Sequence, residues 1–266
     1  MLQSLADMLG FVVNLDLLQS WGYRLLDGTK VTAEVVLISC GIGFLLSYPI
    51  ARARMARNRV VSTLSLCYAT FFRGTPLLCQ LYLVYYGAGE IRPFLSSLGL
   101  WWFFRDSFYC CIFAFTLNTA AYQGEIVRGA LQSVPKGQTE AARALGLSRF
   151  QIARHVVWPQ AMLVALPPFG NELIGMIKAS ALAAIVTLLD LMGQTRFVFA
   201  RTFDFSIYLY AALIYLAMTQ AISALWRVME RGLSRHLVRV PEAAVIALPA
   251  GKKGQGAALD PLRAEP

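Results

Sequence analysis

The sequence predicts an all-α integral membrane protein with five transmembrane helices, on the strength of three observations. First, 57% of the 266 residues are hydrophobic and only 15% are charged, whereas soluble domains are about 45–50% apolar. Second, a helix needs roughly twenty apolar residues to cross the hydrocarbon core, and such segments lie at 30–51, 60–88, 107–132, 160–188 and 205–229. Third, cationic residues concentrate in alternate connections between these segments.

The cationic residues predict an N-terminus outside the membrane and a C-terminus in the cytoplasm. Cytoplasmic loops of membrane proteins carry an excess of lysine and arginine, and the connections after the first, third and fifth segments have that excess. The net charge of +9 is therefore a topology signal, and no nucleic-acid partner is expected because no basic face on a soluble fold is indicated. The cations concerned are Arg52, Arg54, Arg57, Arg59, Arg128, Lys136, Arg143, Arg149, Arg154, Arg227, Arg231, Arg235 and Arg239.

The two ends of the chain differ from the membrane domain between them, residues 30–236. Residues 1–29 are expected to form a periplasmic or interfacial lead-in, because they are apolar but lack the basic start and the small-residue cleavage site of a secretory signal. Residues 237–266 are rich in alanine, glycine and proline and have no periodic apolar face. That composition predicts a disordered cytoplasmic tail.

The second segment contains a predicted helix break. Arg73 is costly inside a membrane, at about 2.5–3.5 kcal/mol, and it is followed by Gly74, Thr75 and Pro76. Because proline removes a helical hydrogen bond, we expect the helix to break here and the Arg73 guanidinium to bind the carbonyl groups that are freed. A structural role in holding this break is favoured over a gating role.

Asn118 and Glu172 are predicted to lie near the middle of the membrane. At the helical rise per residue they are roughly 16 Å and 18 Å from the nearest ends of their segments. Pro167-Pro168 and Gly170 are expected to interrupt the fourth helix, and transporters commonly build substrate sites at such breaks. We hypothesise that Glu172 faces a transport path and pairs with a cationic group. The alternative is that Asn171 and Glu172 are polar ties between helices.

The hydrophilic stretch 135–159 is predicted to be a helix–glycine–helix unit outside the membrane. Ser133 and Pro135 resemble an N-cap followed by a proline in the first turn, and strong helix formers follow from Lys136 to Leu145. Gly146 then suits the left-handed position that ends many helices.

The second helix of this unit is predicted to begin at once. Ser148 is placed as its N-cap, with Gln151 three residues later as the capping-box partner. Pro159 is expected to break the chain before the fourth segment. A capped two-helix unit on the cytoplasmic side presents a fixed surface, which suits docking to a soluble partner.

The sequence contains no motif for catalysis, for a metal or for a bound cofactor. It lacks the GxxxxGK[ST] loop that cradles phosphates, and its five cysteines and two histidines have no metal-ligand spacing. We therefore expect no catalytic residues and no metal site, which argues against a membrane-embedded enzyme. If ATP drives this protein, another chain must bind it.

The central stretch resembles the EAA loop of ATP-binding-cassette importer permeases. Glu140-Ala141-Ala142 is followed after three residues by Gly146, and after nine more by Val156-Val157-Trp158-Pro159. The family pattern has isoleucine and leucine where this sequence has Val156 and Trp158, which are also apolar. Other stretches resemble the polar amino-acid uptake branch, most closely histidine/lysine-arginine-ornithine and octopine-type permeases, over roughly residues 20–236: Phe72–Leu77, Leu117–Ile126, Pro168–Glu172 and Ser180–Leu182.

The resemblance implies the permease subunit of an ATP-driven importer for polar or basic amino acids or opines, in the bacterial inner membrane. It implies two cytoplasmic ATPase subunits that bind ATP and Mg, a second, similar but distinct permease subunit, a periplasmic binding protein and surrounding membrane lipid. The alternative is an ATP-independent secondary transporter or channel, which needs its own coupling-ion path. By resemblance the ATPase would contact Glu140, Ala141, Ala142, Gly146 and Pro159, and the substrate path would include Asn118, Asn171, Glu172 and Ser180.

Overall fold

The computed structural model describes residues 14–234, which are almost entirely helical and contain no strand. The predictions for residues 1–13 and for the tail 237–266 fall outside this range. The helices in chain order are α1 (Leu15–Arg54), α2 (Arg59–Gly74), α3 (Leu77–Glu90), α4 (Arg92–Ser97), α5 (Trp101–Phe104), α6 (Ser107–Ser133), α7 (Lys136–Ala144), α8 (Arg149–Ile152), a π-helical turn (Ala153–Val157), α9 (Trp158–Ala179), a 3₁₀ helix (Ser180–Val186), α10 (Leu191–Thr202) and α11 (Ser206–Ser234).

Three helical segments in the described range are long and apolar enough to cross a membrane, namely Asp16–Arg54, Arg149–Val186 and Ser206–Leu233. They correspond to the first, fourth and fifth predicted segments. The second predicted segment is divided into α2 and α3, and the third coincides with α6. The prediction of an all-helical membrane protein is thereby confirmed.

Helix α6 lies at the centre of the fold and packs against α1, α2, α3 and α9. Small residues allow α1 and α6 to approach closely: a Cβ atom at Gly43 would come within 2.6 Å of Thr119 Cγ2, and one at Gly124 within 2.6 Å of Ile50 Cγ2. Such small-residue contacts are typical of helix pairs in membranes. The buried face of α6 therefore positions Asn118 against α2 and α3, and Thr119 against α1 and α9.

The predicted interruption of the fourth helix at Pro167, Pro168 and Gly170 is wrong. Helix α9 runs without interruption from Trp158 to Ala179 with Pro167 and Pro168 inside it, and the helical path ends only at Ser180, where the 3₁₀ helix begins. Membrane helices tolerate proline when the packing around them holds the helix. Beside these prolines Trp226 Nε1 donates a 2.8 Å hydrogen bond to the Leu166 carbonyl oxygen, which ties α11 to α9 at this point.

Pro159 does not break the chain either. It lies in the first turn of α9, directly after the π-helical turn Ala153–Val157, so the path from Arg149 to Ala179 is continuously helical. Within a continuous helical path a proline lacks one hydrogen bond. Directly before Pro159 the Trp158 N–H bonds the Ala153 carbonyl oxygen in the wider i→i−5 pattern of the π-helical turn. The corresponding sequence prediction treated the proline alone and missed the π-helical turn.

Gly170 has a packing role in place of the predicted interruption. A Cβ atom at this position would come within 2.4 Å of Trp226 Cδ1, so only glycine lets the α11 indole lie against α9. The same indole makes the hydrogen bond to Leu166, and together these contacts fix α11 to α9 next to the two prolines.

Candidate functional site

The predicted glycine cap of the cytoplasmic loop is confirmed. Gly146 has a φ of +79°, a left-handed conformation that glycine adopts without steric cost. The Leu147 N–H donates to the Ala142 carbonyl oxygen at 3.2 Å, and the Gly146 N–H donates to the Arg143 carbonyl oxygen at 2.9 Å. These two bonds form a Schellman motif, which ends α7 and turns the chain towards α8.

The start of α8 is also as predicted. The Ser148 N–H donates to Gln151 Oε1 at 2.9 Å, and the Gln151 N–H donates to Ser148 Oγ at 3.3 Å, which completes the capping box. The prediction for the start of α7 is wrong. Ser133 is the last residue of α6 and its hydroxyl donates to the Ala130 carbonyl oxygen, while Pro135 itself occupies the N-cap position.

The loop presents an apolar tip that sequence reasoning missed. Leu145 is 81% exposed and Phe150 is 73% exposed, one on each side of Gly146. The residues Glu140, Ala141 and Gly146 are exposed, whereas Ala142 is buried within this chain and Pro159 is exposed in the first turn of α9. The signal was present in the sequence as two large apolar residues within an otherwise polar stretch.

The predicted break in the second segment is present, but its hydrogen-bond partners differ from those expected. Helix α2 ends at Gly74, and Thr75 and Pro76 have extended backbones before α3 begins. Gln80 Nε2 donates to the Phe72 and Thr75 carbonyl oxygens at 3.0 and 3.1 Å. Asn118 Nδ2 donates to the Phe72 carbonyl oxygen at 2.9 Å and to Gln80 Oε1 at 3.0 Å. The break is therefore held by two buried amides.

Arg73 does not bind the freed carbonyl groups. Its guanidinium lies over the Tyr122 ring, 5.3 Å from the centroid, and its Nη1 is 3.9 Å from Glu125 Oε2. The Tyr122 hydroxyl donates to the Arg73 carbonyl oxygen at 3.3 Å. The side chain is thus directed along α6 towards Glu125, because α6 offers it an aromatic face and a carboxylate.

Glu125 binds cations from three helices. Its predicted partner in α6, Arg128, is confirmed at 2.7 Å. Arg54, from the end of α1, lies 2.9 Å from the other carboxylate oxygen, and Arg73 from α2 completes the group. The Glu125 side chain is only 12% exposed, so these charges interact in a partly desolvated site where ion pairs are stronger than at the surface. Sequence reasoning identified only the partner within the helix.

A cavity of about 340 Å³ lies at the helix break and between α6 and α9. Glu172 lines it, and Glu172 Oε1 accepts a 3.0 Å hydrogen bond from the Thr119 hydroxyl. This carboxylate therefore lines the cavity and ties α6 to α9, as the polar-tie alternative predicted for Glu172, while its place in a transport path stays a hypothesis. The other lining residues are Thr75, Pro76, Leu77, Asn118, Tyr122, Gly175, Met176 and Ala179.

The structure brings together some of the residues predicted for a transport path and separates others. Asn118, Glu172 and Pro76 share the cavity. Asn171 is exposed and does not line it. Ser180 is buried at the end of α9, where its hydroxyl donates to the Ile177 carbonyl oxygen at 2.7 Å. Within residues 14–234 no group of three or more metal-binding side chains occurs.

Comparisons with known proteins agree on one family. Residues 43–235 match the model of the "binding-protein-dependent transport system inner membrane component". The chain is 41% identical to the nopaline transport system permease protein of Agrobacterium fabrum, over 80% of this chain and 89% of that protein. It is 36% identical to the histidine/lysine/arginine/ornithine transport system permease protein of Escherichia coli K12, over 83% of this chain and 93% of that protein.

A solved structure gives the same result for the fold. An amino acid ABC transporter crystallised with histidines superposes with a TM-score of 0.73 at 32% identity, covering 82% of this chain and 98% of that chain. The family match spans the helix break, the cavity and the cytoplasmic loop described above. This chain therefore belongs to the family of inner membrane components of binding-protein-dependent transport systems.

Proposed function

We propose that this chain is the permease subunit of an importer that moves a polar or basic amino acid or an opine across the bacterial inner membrane, driven by ATP hydrolysis on separate subunits. The observation that carries the proposal is the cavity between α6 and α9, where the Glu172 carboxylate faces the helix break. A carboxylate in a low-dielectric site attracts a cationic group. The names of the relatives, which refer to nopaline and to basic amino acids, support this substrate class.

The proposed topology has five membrane crossings, with the N-terminus outside and the C-terminus in the cytoplasm. Three crossings are the long apolar segments. The second is α2 with α3, which the Gln80 and Asn118 amides join across the Thr75–Pro76 break. The third is α6, whose 27 residues give a length of about 40 Å. The arginines of the inner connections agree with this orientation.

The loop formed by α7 and α8 is proposed as the contact with an ATPase subunit. Its Schellman motif and capping box fix the angle between the two helices, and the exposed Leu145 side chain provides an apolar contact at the tip. The π-helical turn and α9 continue from this loop to Glu172 without a break. A displacement of the loop is thereby transmitted along one helical path to the cavity.

Four partners complete the proposed importer besides membrane lipid: two ATPase subunits that bind ATP and Mg, a second permease subunit of similar but distinct sequence, and a periplasmic binding protein. No cofactor is assigned to this chain itself. The family description, with its reference to binding proteins, supports the periplasmic partner. The cytoplasmic loop supports the ATPase partner, because exposed apolar residues at a capped loop favour protein contacts.

The test is ATP-driven uptake of radiolabelled arginine, histidine and nopaline by the complex reconstituted in proteoliposomes. We expect Glu172→Gln to raise the apparent KM for a cationic substrate about tenfold, since a lost charge pair in a desolvated site costs about 1–2 kcal/mol. The amide oxygen that the substitution places at position 172 still accepts the hydrogen bond from the Thr119 hydroxyl, so the tie between α6 and α9 is kept. Normal uptake with an unchanged KM would remove Glu172 from the substrate site.

A further inference from the structure

Two neighbouring cavities lie between the inner end of α1 and the start of α9, and their walls differ in chemistry. One, of about 410 Å³, has apolar walls apart from Ser47 and Arg154. The other, of about 360 Å³, is basic. They share Tyr48, Ala153 and Trp158, so an apolar slot borders a cationic one. The apolar cavity is lined by Phe44, Leu45, Val127 and Phe150, and the basic cavity by Arg52, Arg143 and Arg149.

The arginines of the basic cavity have no ion-pair partner among residues 14–234. Arg143 and Arg149 also line a third cavity together with Arg57, and none of the three cavities has an acidic residue in its wall. The contrast with Arg54 is clear, because that neighbouring cation binds Glu125 at 2.9 Å. Like charges repel one another, so an anion placed among these arginines stabilises them.

On the topology proposed above, the two cavities lie at the depth of the inner membrane surface. Arg52 is in the last turn of α1, and Phe44 lies about 12 Å further into the membrane segment along the same helix. The Tyr48 and Trp158 rings meet edge to face at 5.3 Å between the two cavities. Tyrosine and tryptophan collect at the level of the lipid headgroups. The basic cavity is thus at headgroup level, and the apolar cavity extends into the hydrocarbon.

We propose that these two cavities bind one anionic phospholipid of the inner leaflet. Its phosphate lies among Arg52, Arg143 and Arg149, whose planar guanidinium groups match phosphate oxygens in pairs. Its acyl chain lies along Phe44 and Tyr48 in the apolar cavity. A lipid in this position connects the inner end of α1 to both helices of the cytoplasmic loop, and so it stabilises the loop against the membrane domain.

The proposal is tested on the assembled transporter, with its ATPase and second permease subunits, in nanodiscs of phosphatidylcholine to which phosphatidylglycerol with a photoreactive acyl chain is added. We expect the photoreactive acyl chain to label residues 44–48 and 150–158, and we expect this labelling to saturate at a low fraction of phosphatidylglycerol. Each arginine near a membrane surface contributes about fivefold in affinity for anionic lipid. The double variant Arg143→Gln with Arg149→Gln is therefore expected to need about 25-fold more phosphatidylglycerol for the same labelling.

The matched control is Arg227→Gln with Arg231→Gln, two cations at the cytoplasmic end of α11 that line none of the three cavities. In this control the extent of labelling by phosphatidylglycerol is expected to equal that of the wild type. Equal labelling by photoreactive phosphatidylcholine, or full displacement by inorganic phosphate, would overturn the assignment to an anionic lipid. If the variant Arg143→Gln with Arg149→Gln loses the ATPase subunit while its lipid labelling is unchanged, these arginines bind the protein partner and the lipid proposal is wrong.

Discussion

Replacement of Gly146 by alanine tests the proposed coupling loop at the residue on which its geometry depends. The φ of +79° costs an L-residue with a Cβ atom about 1–2 kcal/mol. A Cβ atom at this position would meet no other atom within 4 Å, so the cost comes from the backbone alone. That free energy shifts the equilibrium away from the observed loop conformation by about 5- to 30-fold.

We expect Gly146→Ala to weaken binding of the ATPase subunit by up to the same factor, because only the fraction of loops in the correct conformation can bind. Binding is measured as the Kd of the fluorescently labelled ATPase subunit for the permease in nanodiscs. Gly146→Asn is expected to recover part of the affinity, since asparagine adopts left-handed backbone angles more readily than alanine.

The matched control is Gly137→Ala in the first turn of α7 of the same loop. Gly137 has no positive φ, and a Cβ atom there meets nothing within 4 Å. Alanine at this helical position is expected to be neutral or to stabilise the helix by about 0.5 kcal/mol. An equal loss of affinity in both variants, or an unchanged Kd in Gly146→Ala, would refute the argument from backbone conformation.

Three further variants test the surroundings of the cavity and the loop tip. Gln80→Leu is expected to lower the free energy of unfolding by about 1 kcal/mol, because it removes the hydrogen bonds from Gln80 Nε2 to the half-buried Thr75, and the apparent melting temperature measures this loss. An unchanged melting temperature would refute the role of the amides. Glu125→Gln removes the one carboxylate that binds Arg54 among residues 14–234 and is expected to lower the free energy of unfolding by about 2 kcal/mol, measured in the same way. An unchanged melting temperature would show that the cluster is dispensable. Leu145→Ser is expected to weaken ATPase binding about tenfold through lost apolar contact without lowering the melting temperature, and unimpaired binding would exclude the tip from the contact.

The features that the sequence predicted correctly are determined by a few consecutive residues. The capping box of Ser148 and Gln151 spans one helical turn, and the Schellman motif around Gly146 spans two. The break at Thr75–Pro76 follows from the covalent structure of proline. The two caps depend only on residues within one or two turns, so they can be predicted without knowledge of the fold. The proline rule is weaker, because it held at Pro76 but not at Pro167 and Pro168.

The incorrect predictions concern partners that only the packed helices bring together. The carbonyl groups freed at the break bind Gln80 and Asn118, and Arg73 turns to Glu125 instead, because α6 lies against α2 and α3. Spacing along the chain gives no information about which of several polar side chains will reach a given carbonyl group. The continuity of α9 through Pro167 and Pro168 is likewise not readable from the sequence, because it depends on the helices packed around it, such as α11 with Trp226.

The central claim is that ATP hydrolysis on a partner acts on this chain through the loop of α7 and α8. The most direct measurement compares substrate uptake by proteoliposomes that contain the complete transporter with wild-type Glu140 or with Glu140→Lys, at equal amounts of protein and ATP. Glu230→Lys, a charge reversal at the cytoplasmic end of α11, is the control. We expect ATP-driven uptake to be lost in Glu140→Lys together with the bound ATPase subunit, and to be retained in Glu230→Lys. Uptake that continues at the wild-type rate in proteoliposomes prepared without any ATPase subunit would contradict the account.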